Sequence, residues 1–208
     1  MNRCVVFAGG PIEDYGRIQS YLKKGDFLVA ADCGLRHLSA LGLEADLVVG
    51  DFDSHPFPKK AKEKIVLPRE KDETDTLYAL KAALRRGYKE FLILGATGKR
   101  LDHTLGNVYA LEYLEKAGAH GTIVDDWSEM ELCGKKPLEI PDTYLYFSLI
   151  ALSGKAEGIT IRGAKYPLEN GTIEPSFQYG ISNEVLPGET AVVTVEKGSL
   201  LVIRITRE

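Results

Sequence analysis

The sequence predicts an α/β domain with an open, mostly parallel sheet and flanking helices, followed by a C-terminal antiparallel β-sandwich. Over the first 125 residues, short apolar runs alternate with helix-like stretches, which is typical of a parallel sheet. After Asp126, strand-like runs follow one another without a helix candidate of useful length. We therefore expect one domain over residues 1–126 and a second over residues 127–208.

Five short apolar runs, rich in branched residues and bounded by Gly, Asp or Pro, predict the buried strands of the first sheet. They are CVVFA (4–8), FLVAA (27–31), LVVG (47–50), FLILG (91–95) and TIVD (122–125). Apolar residues at helical spacing predict two helices between these strands, over residues 76–87 and 103–118. Each of these stretches ends at a glycine, as helices often do.

Four strand-like runs predict the second domain, and Gly, Pro and Asn separate them at roughly the 8–12-residue spacing of all-β domains. The runs are YLYFSLIAL (144–152), GITIRGAKYPL (158–168), TAVVTVEKG (190–198) and LLVIRITRE (200–208). Lys197-Gly198-Ser199 between the last two predicts a hairpin.

Composition narrows the possible partners. The 208 residues carry a net charge of −4 and no basic stripe, so we expect neither a nucleic-acid nor a membrane partner. The three cysteines are widely spaced, which favours neither a disulfide framework nor a zinc site. The N-terminal apolar run is too short for a signal peptide. A cytoplasmic location is therefore expected.

Acidic residues follow three of the predicted strands. Asp32 follows the second run, Asp51 and Asp53 follow the third, and Asp102 follows the fourth, while Asp72 and Asp75 stand at the start of a helix. Ligands of open α/β sheets bind outside the carboxyl ends of the strands. Two carboxylates ~4 Å apart repel by about 4 kcal/mol at an effective dielectric of 20. A hard divalent cation removes that cost, so the cluster predicts Mg²⁺ and, with it, a polyphosphate such as a nucleotide.

Three of these acidic residues, Asp53, Asp72 and Asp102, also have a purely structural interpretation. Asp72 or Thr74 is a suitable N-cap for the helix at 76, and Asp102 is one for the helix at 103. Asp53 and Ser54 suit an ordinary turn before Pro56.

The segment GATGKRLDH (95–103) is a candidate phosphate site. It is not a P-loop, because two residues rather than four separate Gly95 from Gly98, and Arg100 follows Lys99. A glycine turn leading into a helix can still hold phosphate through backbone N–H groups, with Arg100 binding it bidentately. Lys71 is a solvated lysine or a second phosphate contact.

Five segments together, ADCG, GDFDS, KDETDT, GATGKRLDHTLGN and GISNE, resemble the thiamine pyrophosphokinase family in order along nearly the whole chain. The resemblance implies a homodimer with an α/β nucleotide domain and a β-sandwich thiamine-binding domain. It implies transfer of a pyrophosphoryl group from ATP to the hydroxyl of thiamine, which releases AMP. The chain departs from the pattern at Lys99 and Cys33, where glycine is usual.

The resemblance also implies roles for individual residues. The Mg²⁺ ligands would be Asp51, Asp53 and Asp75. Asp72 and Asp102 would lie close by, and either could accept the alcohol proton. The nucleotide-binding residues would be Asp32, Gly34, Lys71, Thr97, Gly98, Arg100 and His103. Ser182 and Asn183 would face thiamine, and Tyr166 would stack on it.

Two other functions remain compatible with the sequence. A Mg²⁺-dependent phosphohydrolase also uses acidic residues at strand ends, and it would release phosphate from ATP without an alcohol acceptor. A non-catalytic sensor of thiamine or nucleotide would bind its ligand without forming AMP.

Overall fold

The structure is a computed structural model, and it describes residues 3–51, 61–70, 72–134, 136–152, 154–177 and 179–207. The chain divides into two compact units, Met1–Asp126 and Trp127–Glu208. The predicted fold class is confirmed, because the first unit holds a parallel sheet with helices and the second holds antiparallel sheets. Within the described ranges, no helix is both long enough and apolar enough to span a membrane.

In the part of the first unit that the structure describes, six parallel strands form a sheet, in the order β4-β3-β2-β1-β5-β6. They are β1 (Cys4–Phe7), β2 (Phe27–Ala31), β3 (Ala45–Gly50), β4 (Ala61–Val66), β5 (Glu90–Leu94) and β6 (His120–Val124). The five predicted runs correspond to all but β4. That strand lies at the edge, and its sequence AKEKIV is mostly exposed and charged, so no apolar run marks it.

Within its described ranges this unit has four α-helices, α1 (Tyr15–Tyr21), α2 (Leu35–Ala40), α3 (Asp75–Arg85) and α4 (Leu101–Lys116), and a short 3-10 helix, Asp32–Gly34. The two predicted helices are α3 and α4. Thr74 caps α3, since its Oγ1 accepts a hydrogen bond from the Leu77 N–H at 3.2 Å. On α4, the predicted apolar face is buried at Leu111 and Leu114, whereas Leu105 is exposed. Helices α1 and α2 are too short for their apolar residues to show a clear helical spacing in the sequence.

Two antiparallel sheets form the second unit, in the orders β7-β13-β9 and β11-β10-β12-β8. The strands are β7 (Ser128–Cys133), β8 (Leu138–Pro141), β9 (Tyr146–Ala151), β10 (Ala156–Arg162), β11 (Leu168–Ile173), β12 (Thr190–Thr194) and β13 (Leu200–Ile205). One apolar cluster joins both sheets and includes Phe147, Ile159, Val193 and Val202. The predicted β-sandwich is therefore confirmed.

Two predicted features of the second unit are wrong. No hairpin forms around Lys197-Gly198-Ser199, because β12 pairs with β10 and β8, whereas β13 pairs with β7 and β9. The glycine there has a left-handed backbone, with φ +81°, and carries the chain from one sheet to the other. The predicted strand 158–168 is also interrupted, since β10 ends at Arg162 and Gly163 turns the chain with φ +69°.

All six strands of the first sheet point the same way, so their carboxyl ends meet at one edge. The turn of Gly9 and Gly10 follows β1, Asp32 follows β2 and Asp51 follows β3. The segment 95–100 follows β5, and Asp125 follows β6. The candidate site is built at this edge.

Candidate active site

A cleft of about 560 Å³ opens at the carboxyl edge of the first sheet. Its walls come from the turn 8–11, residues 31–33 with Arg36, the start of α3, the segment 95–100 and the first turns of α4. Six of the predicted site residues line it: Asp32, Asp75, Thr97, Gly98, Arg100 and His103. The acidic and glycine-rich motifs therefore come together, although they are far apart in sequence.

Two glycine turns pack tightly against each other in this cleft. The Gly10 N–H donates a hydrogen bond to the Gly95 carbonyl at 2.7 Å. A Cβ on Gly10 would lie 2.2 Å from the Thr97 carbonyl oxygen and 2.5 Å from that of Gly95. Gly98 has φ +155°, and a Cβ there would lie 2.5 Å from Cδ of Pro11. Only glycine fits at Gly10 and Gly98, which brings backbone rather than side chains to the cleft wall.

Asp32 has the features of a ligand-binding residue. Its backbone is left-handed, with φ +45°, a conformation that costs a non-glycine residue of order 1–3 kcal/mol. Its Oδ2 accepts a hydrogen bond from the Cys33 thiol at 3.0 Å. Its Oδ1 is buried and has no hydrogen-bond partner among the described residues. A buried carboxylate oxygen without a partner is unfavourable, so this atom suits a cation or a donor group of a bound ligand.

Gly34 lies beneath Asp32 rather than on the cleft wall. It is buried, and a Cβ there would lie 1.9 Å from the Phe7 carbonyl oxygen. Because Gly34 has no side chain, the turn Asp32–Gly34 packs directly against β1. Cys33 fills space beside Gly9, and burial followed by the Asp32 hydrogen bond raises the pKa of this thiol to about 11.

The predicted metal ligands fall partly inside the described ranges. Asp51 follows β3 directly, and a Cβ on the preceding Gly50 would lie 3.2 Å from the Asp32 Cα, so Asp51 and Asp32 leave neighbouring strand ends. Asp75 is the first residue of α3 and lines the cleft. Asp53 and Lys71 lie outside the described residues. Among the residues that are described, no three His, Cys, Asp or Glu side chains cluster closely enough to hold a metal.

The oxygen donors at this edge suit Mg²⁺ chemically. Mg²⁺ is usually held by one or two carboxylates, with waters and substrate phosphates completing its shell, so an all-protein cage is not needed. Asp32 offers a buried Oδ1 with no hydrogen-bond partner in the described ranges, and Asp75 lies in the same cleft.

Asp72 and Asp102 lie away from the cleft wall. Asp72 is exposed and precedes the N-cap Thr74, so it does not share the first turn of α3 with Asp75 as predicted. Asp102 lies inside α4 and does not cap it. Instead Asp102 accepts two hydrogen bonds from Arg100, from Nε at 2.9 Å and from Nη2 at 2.6 Å. These bonds hold the pKa of Asp102 well below its usual range.

Other polar residues support the cleft wall, and sequence reasoning missed them. The Thr97 hydroxyl donates to Asp125 at 3.1 Å, which fixes the predicted nucleotide residue Thr97 to the end of β6. Asn107 is buried and donates to the Ala96 carbonyl at 2.7 Å. Asn107 is the last residue of the segment GATGKRLDHTLGN, so its place in that segment could have identified it from the sequence. Asp125 lies in none of the five segments, and nothing in the sequence pointed to it.

The Gly10 carbonyl accepts a hydrogen bond from His37, a residue that the sequence analysis did not identify. His37 is buried, with Nε2 2.8 Å from the Gly10 oxygen and Nδ1 2.8 Å from the Tyr15 hydroxyl. A carbonyl only accepts, so Nε2 carries the hydrogen and Nδ1 accepts from Tyr15. Burial lowers the pKa of His37, which favours this neutral form.

The predicted thiamine residues lie together in the second unit. Asn183 is buried, its Oδ1 accepts from the Tyr166 N–H at 3.0 Å, and its Nδ2 donates to the Tyr166 carbonyl at 2.8 Å. The Tyr166 side chain is 59% exposed. Ser182 is also exposed, has φ +56°, and donates its N–H to the Ser148 hydroxyl at 3.0 Å. The Asn183 amide therefore fixes the backbone that presents the Tyr166 ring.

The fold and the cleft define a two-domain enzyme of the α/β class, with acidic residues and glycine turns at the edge of a parallel sheet. Two known domain families match the chain in sequence. The thiamin pyrophosphokinase catalytic domain matches residues 18–122, and the thiamin pyrophosphokinase vitamin B1 binding domain matches residues 137–200.

Whole proteins of the same kind are similar over nearly the full length. The thiamine pyrophosphokinase of Bacillus subtilis (strain 168) is 30% identical over 209 residues, covering 97% of each chain. The crystal structure of thiamine pyrophosphokinase from Bacillus subtilis superposes with a TM-score of 0.88 at 27% identity and 100% coverage of both chains. That of thiamin pyrophosphokinase from Geobacillus thermodenitrificans gives 0.83 at 31% identity, covering 100% of this chain and 99% of the other.

This chain belongs to the thiamin pyrophosphokinase family. The family and the enzyme class that the sequence motifs implied are confirmed. Neither a phosphohydrolase nor a non-catalytic sensor is favoured by these similarities.

Proposed function

We propose that this chain transfers the pyrophosphoryl group of ATP to the hydroxyl of thiamine, giving thiamine diphosphate and AMP. The observation that carries the proposal is the cleft at the sheet edge, where Asp32 and Asp75 face two glycine turns. Glycine turns leave few side chains in the way of a phosphate chain, and nearby carboxylates suit its cation. The unit Met1–Asp126 would bind the nucleotide, and the unit Trp127–Glu208 would bind thiamine.

The cation would be Mg²⁺, held by Asp51, Asp53 and Asp75. Its contribution when bound is to neutralise phosphate charge and fix the phosphate oxygens for in-line attack. Asp51, directly after β3, and Asp75, the first residue of α3, would supply two of these carboxylates. Asp32, with its buried Oδ1, would bind either the same cation through water or a hydroxyl of the nucleotide.

Phosphate charge also needs cationic partners from the protein. Arg100 and Lys71 would contact the phosphates, and Thr97, Gly98 and His103 would complete the nucleotide pocket. Arg100 is paired with Asp102 on the surface, with a side chain that is 72% exposed. It must therefore exchange this partner for phosphate when ATP binds, or hold both at once.

The alcohol of thiamine must lose its proton during attack. Asp102 is a weak base at neutral pH, because its hydrogen bonds to Arg100 hold its pKa low. Of the two acidic residues that the sequence put forward, Asp102 is therefore the less suitable, and Asp72 stays the proposed base although it is exposed and lies outside the cleft lining.

Thiamine would be held by the exposed aromatic of the second unit. The Tyr166 ring is open to solvent, and aromatic faces attract cationic rings such as thiazolium. Asn183 would keep the ring in position, and Ser182, with its strained backbone, would contact the vitamin.

We also propose a homodimer in the cytoplasm. Phe177, Tyr179 and Ile181 are exposed on one short segment of the second unit, which supports a surface that a second copy covers. Among the described residues, Cys4, Cys33 and Cys133 are in no disulfide, which supports a reducing compartment.

The test is an incubation of the purified protein with ATP, Mg²⁺ and thiamine, with nucleotides and thiamine esters separated chromatographically. The proposal predicts AMP and thiamine diphosphate in equal amounts, and neither without thiamine. Release of inorganic phosphate without thiamine would instead indicate a phosphohydrolase. Binding of both ligands without AMP would indicate a sensor.

A further inference from the structure

We propose that Arg36 is a second arginine of the nucleotide site and that it binds the phosphate chain directly. This inference rests on the proposed function, because it assigns a residue to the ATP that the cleft would hold. Arg36 lines the cleft, yet it belongs to none of the acidic or glycine segments and stands in the segment LRHL of α2.

The backbone of the glycine turn fixes the Arg36 guanidinium. Nη2 donates to the Gly9 carbonyl at 2.7 Å and to the Gly10 carbonyl at 3.2 Å. The Gly10 carbonyl is itself held by His37, which is buried. A cation bound to two neutral carbonyls keeps its charge, so the geometry holds a positive group in place without neutralising it.

Arg36 keeps donor groups available for a ligand. Its Nε lies 3.5 Å from Nε2 of His37, a nitrogen that already carries a hydrogen and cannot accept. Among the described residues, no carboxylate pairs with Arg36. The N–H group on Nε and the N–H groups on Nη1 thus have no acceptor among the described residues, and each can donate to an anion.

The contrast with Arg100 makes the assignment specific. Arg100 donates two hydrogen bonds to Asp102, and this carboxylate offsets the positive charge of Arg100. Of these two cleft arginines, Arg36 is therefore the one that presents an uncompensated charge before the nucleotide arrives. A triphosphate carries several negative charges, and a fixed cation close to the glycine turns lowers the cost of bringing it there.

The experiment measures equilibrium binding of ATP, AMP and adenosine to the intact protein in the absence of thiamine. Arg36→Gln is compared with the unaltered chain, and Arg36→Lys tests whether charge alone suffices. Arg85→Gln is the matched control, because Arg85 lies at the far end of α3 and its guanidinium rests over the Tyr78 ring. Thermal denaturation of each variant shows whether it is folded.

We expect Arg36→Gln to weaken ATP binding about 10- to 100-fold, as charged hydrogen bonds to phosphate predict. Adenosine binding should be unchanged, Arg36→Lys should lie between, and Arg85→Gln should match the unaltered chain. Binding of ATP by Arg36→Gln within twofold of the unaltered chain would overturn the inference. Equal losses for ATP and adenosine would also overturn it, since Arg36 would then act only through the shape of the glycine turn.

The two proposals fail in different ways. If the unaltered chain forms thiamine diphosphate and AMP while Arg36→Gln keeps its ATP affinity, only the role of Arg36 is wrong. If the unaltered chain does not bind ATP, the proposed function itself fails.

Discussion

Arg100 and Asp102 form a two-pronged ion pair on the first turn of α4, with Nε and Nη2 2.9 and 2.6 Å from the two carboxylate oxygens. The pair places a guanidinium at the cleft and at the same time engages the donors that phosphate would need. Phosphate would therefore either displace Asp102 or use the Arg100 donors that Asp102 leaves open.

Arg100→Lys should reduce kcat/KM for ATP by about 10-fold or more, because lysine lacks the planar fork that binds phosphate bidentately. Asp102→Asn should lower KM for ATP, because it releases Arg100 from its competing partner. Steady-state kinetics with varied ATP check both. Unchanged kinetics in Arg100→Lys would reduce Arg100 to a surface residue.

Gly10→Ala should abolish nucleotide binding and destabilise the fold, because its methyl group would lie 2.2 Å from the Thr97 oxygen. Gly106→Ala is the matched control in α4, where an added Cβ meets no atom within 4 Å. Alanine is the better helix former, so this control should gain about 0.5–1 kcal/mol of stability. Calorimetry and ATP titration of both variants provide the measurement. A Gly10→Ala protein with native ATP affinity would refute the proposed packing of the two turns.

Asp51→Asn and Asp75→Asn should each lower turnover by orders of magnitude while leaving the melting temperature nearly unchanged. Each removes a charged ligand of the proposed cation, and the loss should shrink as Mg²⁺ is raised.

Asp46→Ala provides the structural contrast. Asp46 accepts a hydrogen bond from the Leu28 N–H at 2.8 Å and pairs with Lys62, at the opposite end of β3 from Asp51. This variant should lose stability and keep its Mg²⁺ dependence. If Asp51→Asn instead lost stability and kept its turnover, while Asp46→Ala lost turnover, the metal assignment would be wrong.

Asn183→Ala should raise KM for thiamine and leave KM for ATP unchanged, because the amide fixes the Tyr166 backbone on both sides. The lost buried hydrogen bonds should also cost about 1–3 kcal/mol of stability. Ser176→Ala, at an exposed position of the same unit, is the control. Equal changes in both KM values would argue against a role specific to thiamine.

Protonation of His37 should lower the free energy of unfolding at acidic pH. Burial lowers the pKa of this residue in the folded state, so the unfolded chain binds the proton more tightly. The contribution of neutral His37 is complete above the unfolded-state pKa of about 6.5 and is lost as the pH falls below it. His37→Gln should flatten the dependence of melting temperature on pH below about pH 6.5. An identical slope in the variant would show that other groups cause it.

The sequence predicted the elements that carry an apolar signal and missed those that do not. The five buried strands and helices α3 and α4 followed from branched runs and helical spacing, whereas the charged edge strand β4 had neither. The turn at Gly198 was recognised from its residue type, but a turn does not specify which strands it joins, and β12 and β13 lie in different sheets.

The site shows the same limit. Asp32 and Asp75 were found because charge at a strand or helix end is visible in sequence. Arg36 and His37 were missed, because their importance comes from the Gly9 and Gly10 carbonyls that the fold brings to them. Contacts between a side chain and a distant backbone leave no local pattern.

The proposed metal and phosphate site is best tested by a crystal structure with Mn²⁺ in place of Mg²⁺ and an ATP analogue that cannot be cleaved, with the metal located by anomalous scattering. Metal density is expected at the carboxyl edge of the first sheet, bonded to Asp51 or Asp75 and to phosphate oxygens. Metal and phosphates bound elsewhere, with these carboxylates facing away from both, would contradict the proposed site.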